Sequence, residues 1–323
     1  MIKTYREAIL EATAEEMARD DSVIVMGEDV GIYGGGFGVT EGLIETYGPE
    51  RVRNTPVSET AFVGTAVGAA ATGMRPVVEL MFSDFMSVCW DQIMNEAAKF
   101  HYMYAGNVNV PLVIRTASGG GTGAASQHSQ SLEAMYCHVP GLKVVVPSTP
   151  YDAKGMMKSA VRCNDPVIFL EQKLLYGTKG EVPDGEYTVP IGKAAVRRDG
   201  SDLTLISYGR MVQKCLDAAE QLAEKGISAE VLDLRTLSPL DSDAVLSSVR
   251  KTGRAVIVHE AVQFAGFGGE ISAMIMEQAF DALKAPVRRV GAAFCPIPCA
   301  PAMETNVLPD TDRILETAES LIK

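Results

Sequence analysis

Positive charge is scarce in this chain of 323 residues: 29 Lys and Arg stand against 41 Asp and Glu, a formal net charge of -12. General nucleic-acid binding needs a positive surface, so that deficit excludes it. Long apolar runs are also missing, and no stretch reaches the roughly 20 residues a helix needs to cross a bilayer. The six cysteines, at 89, 137, 163, 215, 295 and 299, include no CxxC pair. Cys295 and Cys299 flank two prolines and give only a weak metal or disulfide signal, so free thiols in a reducing compartment are the simpler reading. No cleavable apolar leader is evident, and a cytoplasmic protein is the expectation.

Apolar residues are plentiful at 47%, and there are 30 glycines. That composition suits an α/β protein with tight turns and close packings. The length favours two domains. Short, largely apolar runs at 23–26, 77–80, 110–116, 142–146 and 167–171 read as buried parallel strands. Helical stretches are expected near 60–72, 85–104, 132–137 and 151–162, and an amphipathic helix over Met1 to Asp21. Turn residues cluster from Tyr176 to Pro190, which reads as a linker. A second alternation follows, with strands at 203–207, 229–234, 255–259 and 287–290, and helices at 211–225, 241–252 and 269–283. The expected architecture is two open, mostly parallel sheets flanked by helices, in domains 1–185 and 186–323.

Several segments carry possible chemistry. Pro56 to Gly64 places Glu59 after a polar turn and ahead of a helix of small residues, Gly64 to Gly73. A buried carboxylate there needs a partner, so Glu59 is either a capping or ion-paired residue or is aimed at a ligand nitrogen. The loops Gly34–Gly38 and Gly119–Gly123 follow strands, but no Lys-Ser/Thr closes either, so neither is a P-loop. Ser126 to Ser131 embeds His128 among hydroxyls and amides beyond a strand, where open sheets carry ligands. His101 falls in the expected long helix, His138 precedes Pro140, and His259 ends a strand beside Glu260. Met81 to Phe85 follows another strand, and its aromatics suit either core packing or one wall of a flat-ring pocket.

Taken in order, MGEDVG at 26–31, PVSETAFVG at 56–64, SDF at 83–85, QHSQSLEA at 127–134, PGLKVVVPSTPYDAKG at 140–155 and DLRTLSPLD at 233–241 give the chain a family likeness. It resembles the β subunits of thiamine-diphosphate-dependent E1 components of 2-oxo acid dehydrogenase complexes, including the acetoin dehydrogenase branch, over nearly its whole length. The resemblance implies a pyrimidine-binding α/β domain followed by a transketolase C-terminal-type domain. It implies that Glu59 hydrogen-bonds N1′ of the thiamine aminopyrimidine, that Phe85 packs on that ring with Met81 in the same wall, and that His128 serves acyl transfer to lipoamide at the mouth of the site. It also implies a potassium ion on the backbone carbonyls of Leu112, Ala160, Val161, Cys163 and Asp165, with Cys163 where Asp is common.

The family's Mg²⁺-diphosphate signature is a GDG followed downstream by an Asn, and no GDG occurs in this chain. On the resemblance, the Mg²⁺ and the diphosphate belong to an α subunit in an α2β2 heterotetramer, with the acyl unit passed to a lipoyl acyltransferase E2 core. The stretches GMRPVVELMFSDF and LLYGTKGEVPDGEYTVPIG look closer to acetoin than to branched-chain β subunits, with pyruvate-type chains near. Acetoin cleavage is therefore the expected reaction and pyruvate the alternative. A non-catalytic scaffold has no use for Glu59, Phe85 and His128 together, and a self-sufficient transketolase-like enzyme would need the missing diphosphate motif.

Overall fold

The structure, a computed structural model, describes residues 1–322. It packs as two units: Met1–Ser118 with Met135–Ile191, and Gly119–Ala134 with Gly192–Lys323. The division by packing lies at 191/192, against the expected 185/186, and the second unit also takes 119–134.

In the first unit a parallel sheet runs in the order β6 (Lys143–Val145), β7 (Val167–Gln172), β5 (Val113–Ser118), β4 (Arg75–Leu80), β2 (Val23–Gly27), β3 (Val52–Asn54). Val25, Val77, Val113 and Val167 lie in register across it and are all buried. These strands are largely apolar, as suits a sheet covered on both faces by helices, but they also carry the buried charges Glu79, Arg115 and Glu171. Helix α1 (Tyr5–Arg19) starts at a capping box: Thr4 Oγ1 accepts from Glu7 N at 3.2 Å, and Thr4 N donates to Glu7 Oε2 at 2.7 Å. It packs on α3 (Pro150–Arg162), which opens with Pro150 behind a Thr149 cap. Between them in sequence lies α2 (Glu59–Ala71).

Three sequence expectations change here. The amphipathic start is not all helix, because Ile2–Thr4 forms strand β1. The supposed linker 176–190 contains β8 (Lys179–Glu181), which pairs antiparallel with β1 and satisfies its backbone; the turn residues around it hid that strand. The expected helix 85–104 breaks into a 3-10 turn at 83–87, a π turn at 92–97 and one α turn at 100–103, which carries His101. In this broken stretch the Thr60 hydroxyl donates to the Val88 carbonyl at 2.8 Å.

In the second unit the sheet order is β13 (Arg288–Ala292), β12 (Ala255–Val262), β10 (Leu203–Ser207), β11 (Ala229–Asp233), β9 (Ala195–Arg198), parallel except for β9 at its edge. Helices α4 (Met211–Glu224), α5 (Ser242–Thr252), α6 (Gly268–Gln278), α7 (Pro301–Val307) and α8 (Thr311–Ser320) complete it. Its core gathers Leu203, Leu205, Cys215, Val231, Val256 and Ile314. Among the described residues no helix is long and apolar enough to cross a membrane.

Candidate active site

Glu59 opens α2 and is half-buried, more open than the sequence suggested. The Thr60–Val88 bond draws this helix start onto the segment after β4. There Cys89 is fully buried, with Sγ 3.9 Å from the carbonyl oxygen of Phe85. Burial, and then the Glu59 carboxylate, push the Cys89 thiol up to about 12. Burial, followed by Glu59 and Asp29, also raises the Glu28 carboxyl. Glu28 Oε1 is buried without a hydrogen-bond partner, as is Thr55 Oγ1. The helix start, Glu28 and the Phe85 turn therefore converge. The sequence reading passed over Glu28; its signal was a carboxylate directly after an all-buried parallel strand.

Phe85 is half-buried, 6.5 Å from the Phe82 ring, which meets Phe37 edge-on at 5.6 Å. Met81 lies against the glycine loop, where a Cβ on Gly36 would meet the end of the flexible Met81 side chain. The Gly36 N–H donates to Glu79 Oε1 at 2.8 Å. Glu79 also accepts from buried Arg115, which forks onto Glu171 at 2.8 and 2.7 Å; the Tyr176 hydroxyl donates to Glu171 at 2.8 Å. This network holds the loop that walls Met81.

The Glu59 carboxylate and two buried polar atoms without partners, Glu28 Oε1 and Thr55 Oγ1, are the kinds of donor and acceptor that a nitrogen heterocycle can use. Among the described residues no group of three or more His, Cys, Asp or Glu is placed to hold a metal ion.

His128 belongs to the second unit. It is half-buried, its N–H lies 3.4 Å from the Ala125 carbonyl, and Gly119 N donates to Gln130 O at 3.2 Å to close the loop. Beside it Ser126, Gln127 and Ser129, with Glu260, Val262 and Phe294, line a cavity of about 520 Å³.

Of the five backbone carbonyls named for potassium, four accept hydrogen bonds within the chain. Arg75 Nη1 donates to Val161 O at 2.9 Å and Cys163 O at 3.0 Å, Leu112 O accepts from Val167 N, and Ala160 O from Cys163 N. The Asp165 side chain pairs with Lys143 at 2.7 Å. A monovalent cation bound there would share two of its oxygens with a guanidinium.

Residues 2–179 match the family profile of the transketolase pyrimidine-binding domain, and residues 192–314 that of the transketolase C-terminal domain. The chain is 51% identical to the acetoin:2,6-dichlorophenolindophenol oxidoreductase subunit beta of Cupriavidus necator, over 98% of this chain and 96% of that protein. Identity to the subunit of the same name in Bacillus subtilis is 46%, with the same coverage. The mitochondrial pyruvate dehydrogenase E1 component subunit beta-2 of Oryza sativa is 47% identical, over 98% of this chain and 85% of that protein. A solved split-gene transketolase, described as an inactive β4 tetramer, superposes with a TM-score of 0.81 over 98% of this chain and 97% of its own; at 22% identity this likeness concerns the fold alone.

Proposed function

Because this chain belongs to the transketolase-like β subunits of thiamine-diphosphate-dependent E1 dehydrogenases of the acetoin and 2-oxo acid family, we propose that it supplies the aminopyrimidine half of a cofactor site completed by an α partner. The observation that carries the proposal is the half-buried Glu59 carboxylate at the start of α2, set beside the buried, unpartnered Glu28 oxygen and the Phe85 turn. When bound, the cofactor supplies a thiazolium carbon that, once deprotonated, attacks a carbonyl and stores the electrons released by C–C cleavage.

Glu59 shares a proton with the ring nitrogen N1′, a role that a carboxylate fills and an amide does not. Phe85 and Met81 hold the ring plane. His128 receives the lipoyl arm and handles a proton during acyl transfer. The diphosphate and Mg²⁺ fall to the α partner, since this chain has no GDG motif. The assembly proposed is α2β2, feeding a lipoyl acyltransferase core.

The substrate proposed is one whose cleavage leaves a two-carbon acyl unit. Acetoin-named relatives at 51% and 46% and a pyruvate-named one at 47% support that class without separating its members, so pyruvate stands beside the acetoin expected from sequence. One or two methylenes in an apolar pocket are worth about 1–3 kcal/mol each. The test is turnover of the reconstituted α–β pair on acetoin, pyruvate and 2-oxoisovalerate with a lipoyl domain as acceptor. Acetoin or pyruvate should exceed 2-oxoisovalerate by about tenfold or more. A preference for 2-oxoisovalerate would overturn the assignment.

A further inference from the structure

The loop that carries His128 is gripped by two carboxylates from the far end of its own unit. Glu304, on α7, spans it with both oxygens: Gly121 N donates to Oε1 at 2.7 Å and Gly123 N to Oε2 at 2.9 Å. Glu260, on β12, accepts from Gly120 N at 2.6 Å. Arg210 closes the grip, with Nε 3.2 Å from Glu260 Oε2 and Nη1 donating to the Gly120 carbonyl at 3.4 Å. Both carboxylates are 3% exposed.

The backbone is shaped for this. Gly119, Gly121, Gly123 and Ala125 have φ of 85°, 92°, 69° and 62°. Alternation of left-handed residues with ordinary ones turns successive N–H groups to one side, forming a concave anion nest. In this nest the anion is the protein's own Glu304. The glycine run, which has no Lys-Ser/Thr of a P-loop, is thus a docking strip for an internal carboxylate. Two residues beyond the nest, Ala125 accepts from His128 N, so the nest's conformation is passed on to the histidine backbone.

We propose that Glu304, with Glu260 and Arg210, is a positioning clamp that fixes loop 119–128 and so sets where His128 stands during acyl transfer; this rests on the reading of His128 given above. A charge-assisted bond to a buried carboxylate is about twice as strong as a neutral one. Glu304→Gln keeps the size of the side chain but turns one acceptor into a donor facing a backbone N–H. Glu304→Asp keeps the charge and shortens the reach.

The test uses the assembled α–β enzyme. Backbone hydrogen exchange in 119–128, read by mass spectrometry, should quicken in E304Q and less so in E304D. Acyl transfer to a free lipoyl domain should fall about 10- to 100-fold in E304Q, with exchange of the cofactor C2 proton within about twofold of wild type. E304D should fall between, which keeps the test valid if E304Q assembles poorly. Unchanged loop exchange in both variants would overturn the clamp. Equal losses in transfer and C2 exchange would also overturn it, since they indicate general structural damage. His128→Ala serves as the separate control. Wild-type transfer in H128A would refute the reading of His128 itself, whereas impaired transfer in H128A with normal transfer in a loosened E304Q loop would refute only the clamp.

Discussion

The two units treat buried charge in opposite ways. In the first, buried cations sit between carboxylates. Arg115 lies between Glu79 and Glu171, Lys154 between Glu11 and Glu15, and Lys158 between Glu15 and Glu186. In the second, the cations that meet buried carboxylates are themselves partly exposed: Arg197 with Asp233 at 2.7 Å, Arg210 with Glu260 at 3.2 Å and Lys251 with Glu230. Several of its buried ionisable groups are spent differently. Glu260 and Glu304 hold backbone amides, both Glu133 oxygens are buried without a partner, and His259 Nε2 likewise has none. Burial pushes the His259 imidazole down to about 4. Burial, and then Glu260, push the Glu133 carboxyl up to about 7. Side-chain pairing makes the first unit a stiff frame for the Glu59 site. The second gives up some stability to hold a shaped loop.

The largest effect should come from the first unit and leave its frame intact. Glu59→Gln removes the proton that Glu59 shares with its ligand, and turnover of the α–β pair should fall by about two to four orders of magnitude. Assembly should survive, because Glu59 makes no ion pair within the chain among the described residues. Wild-type C2 proton exchange in E59Q would make Glu59 merely structural.

Arg115→Met attacks the frame directly. It strands Glu79 and Glu171 in the interior, and urea unfolding should show a loss of about 3–5 kcal/mol. A loss below about 1 kcal/mol would mean that the pairing does not stiffen the first unit.

Glu133→Gln should act in the opposite sense. The folded state raises the affinity of Glu133 for its proton, so its contribution to stability is fully present below the unfolded value of 4.5 and is lost as pH rises through about 7. The wild type therefore carries a cost on the order of 3 kcal/mol above that range, which a neutral isostere avoids. E133Q should melt higher than wild type at pH 8 and close to it at pH 4.5. A lower melting point at pH 8 would show that the Glu133 charge is stabilised in the folded chain, and would erase the contrast between the units.

Much of the fold was legible because buried parallel strands such as Val23–Gly27 and Val167–Gln172 are apolar along most of their length. What escaped was short or tertiary in origin. Strand β8 exists because β1 lies beside it, and the broken helix 85–104 is tied at Val88 to a hydroxyl 28 residues away. Glu59, Met81 and Phe85 were legible as motif residues at strand and helix ends. Glu28 directly follows an all-buried strand, a signal that gained weight only once Glu59 was placed beside it. The clamp was invisible because Glu304 and Gly121 stand 183 residues apart.

The central claim is that this chain holds half of a cofactor site. Calorimetric titration of the purified chain with thiamine diphosphate and Mg²⁺, alone and after reconstitution with an α subunit, tests it most directly. The account predicts weak or no binding and no turnover for the chain alone, with both appearing on reconstitution. Micromolar binding together with substrate-dependent activity from the isolated chain would contradict it.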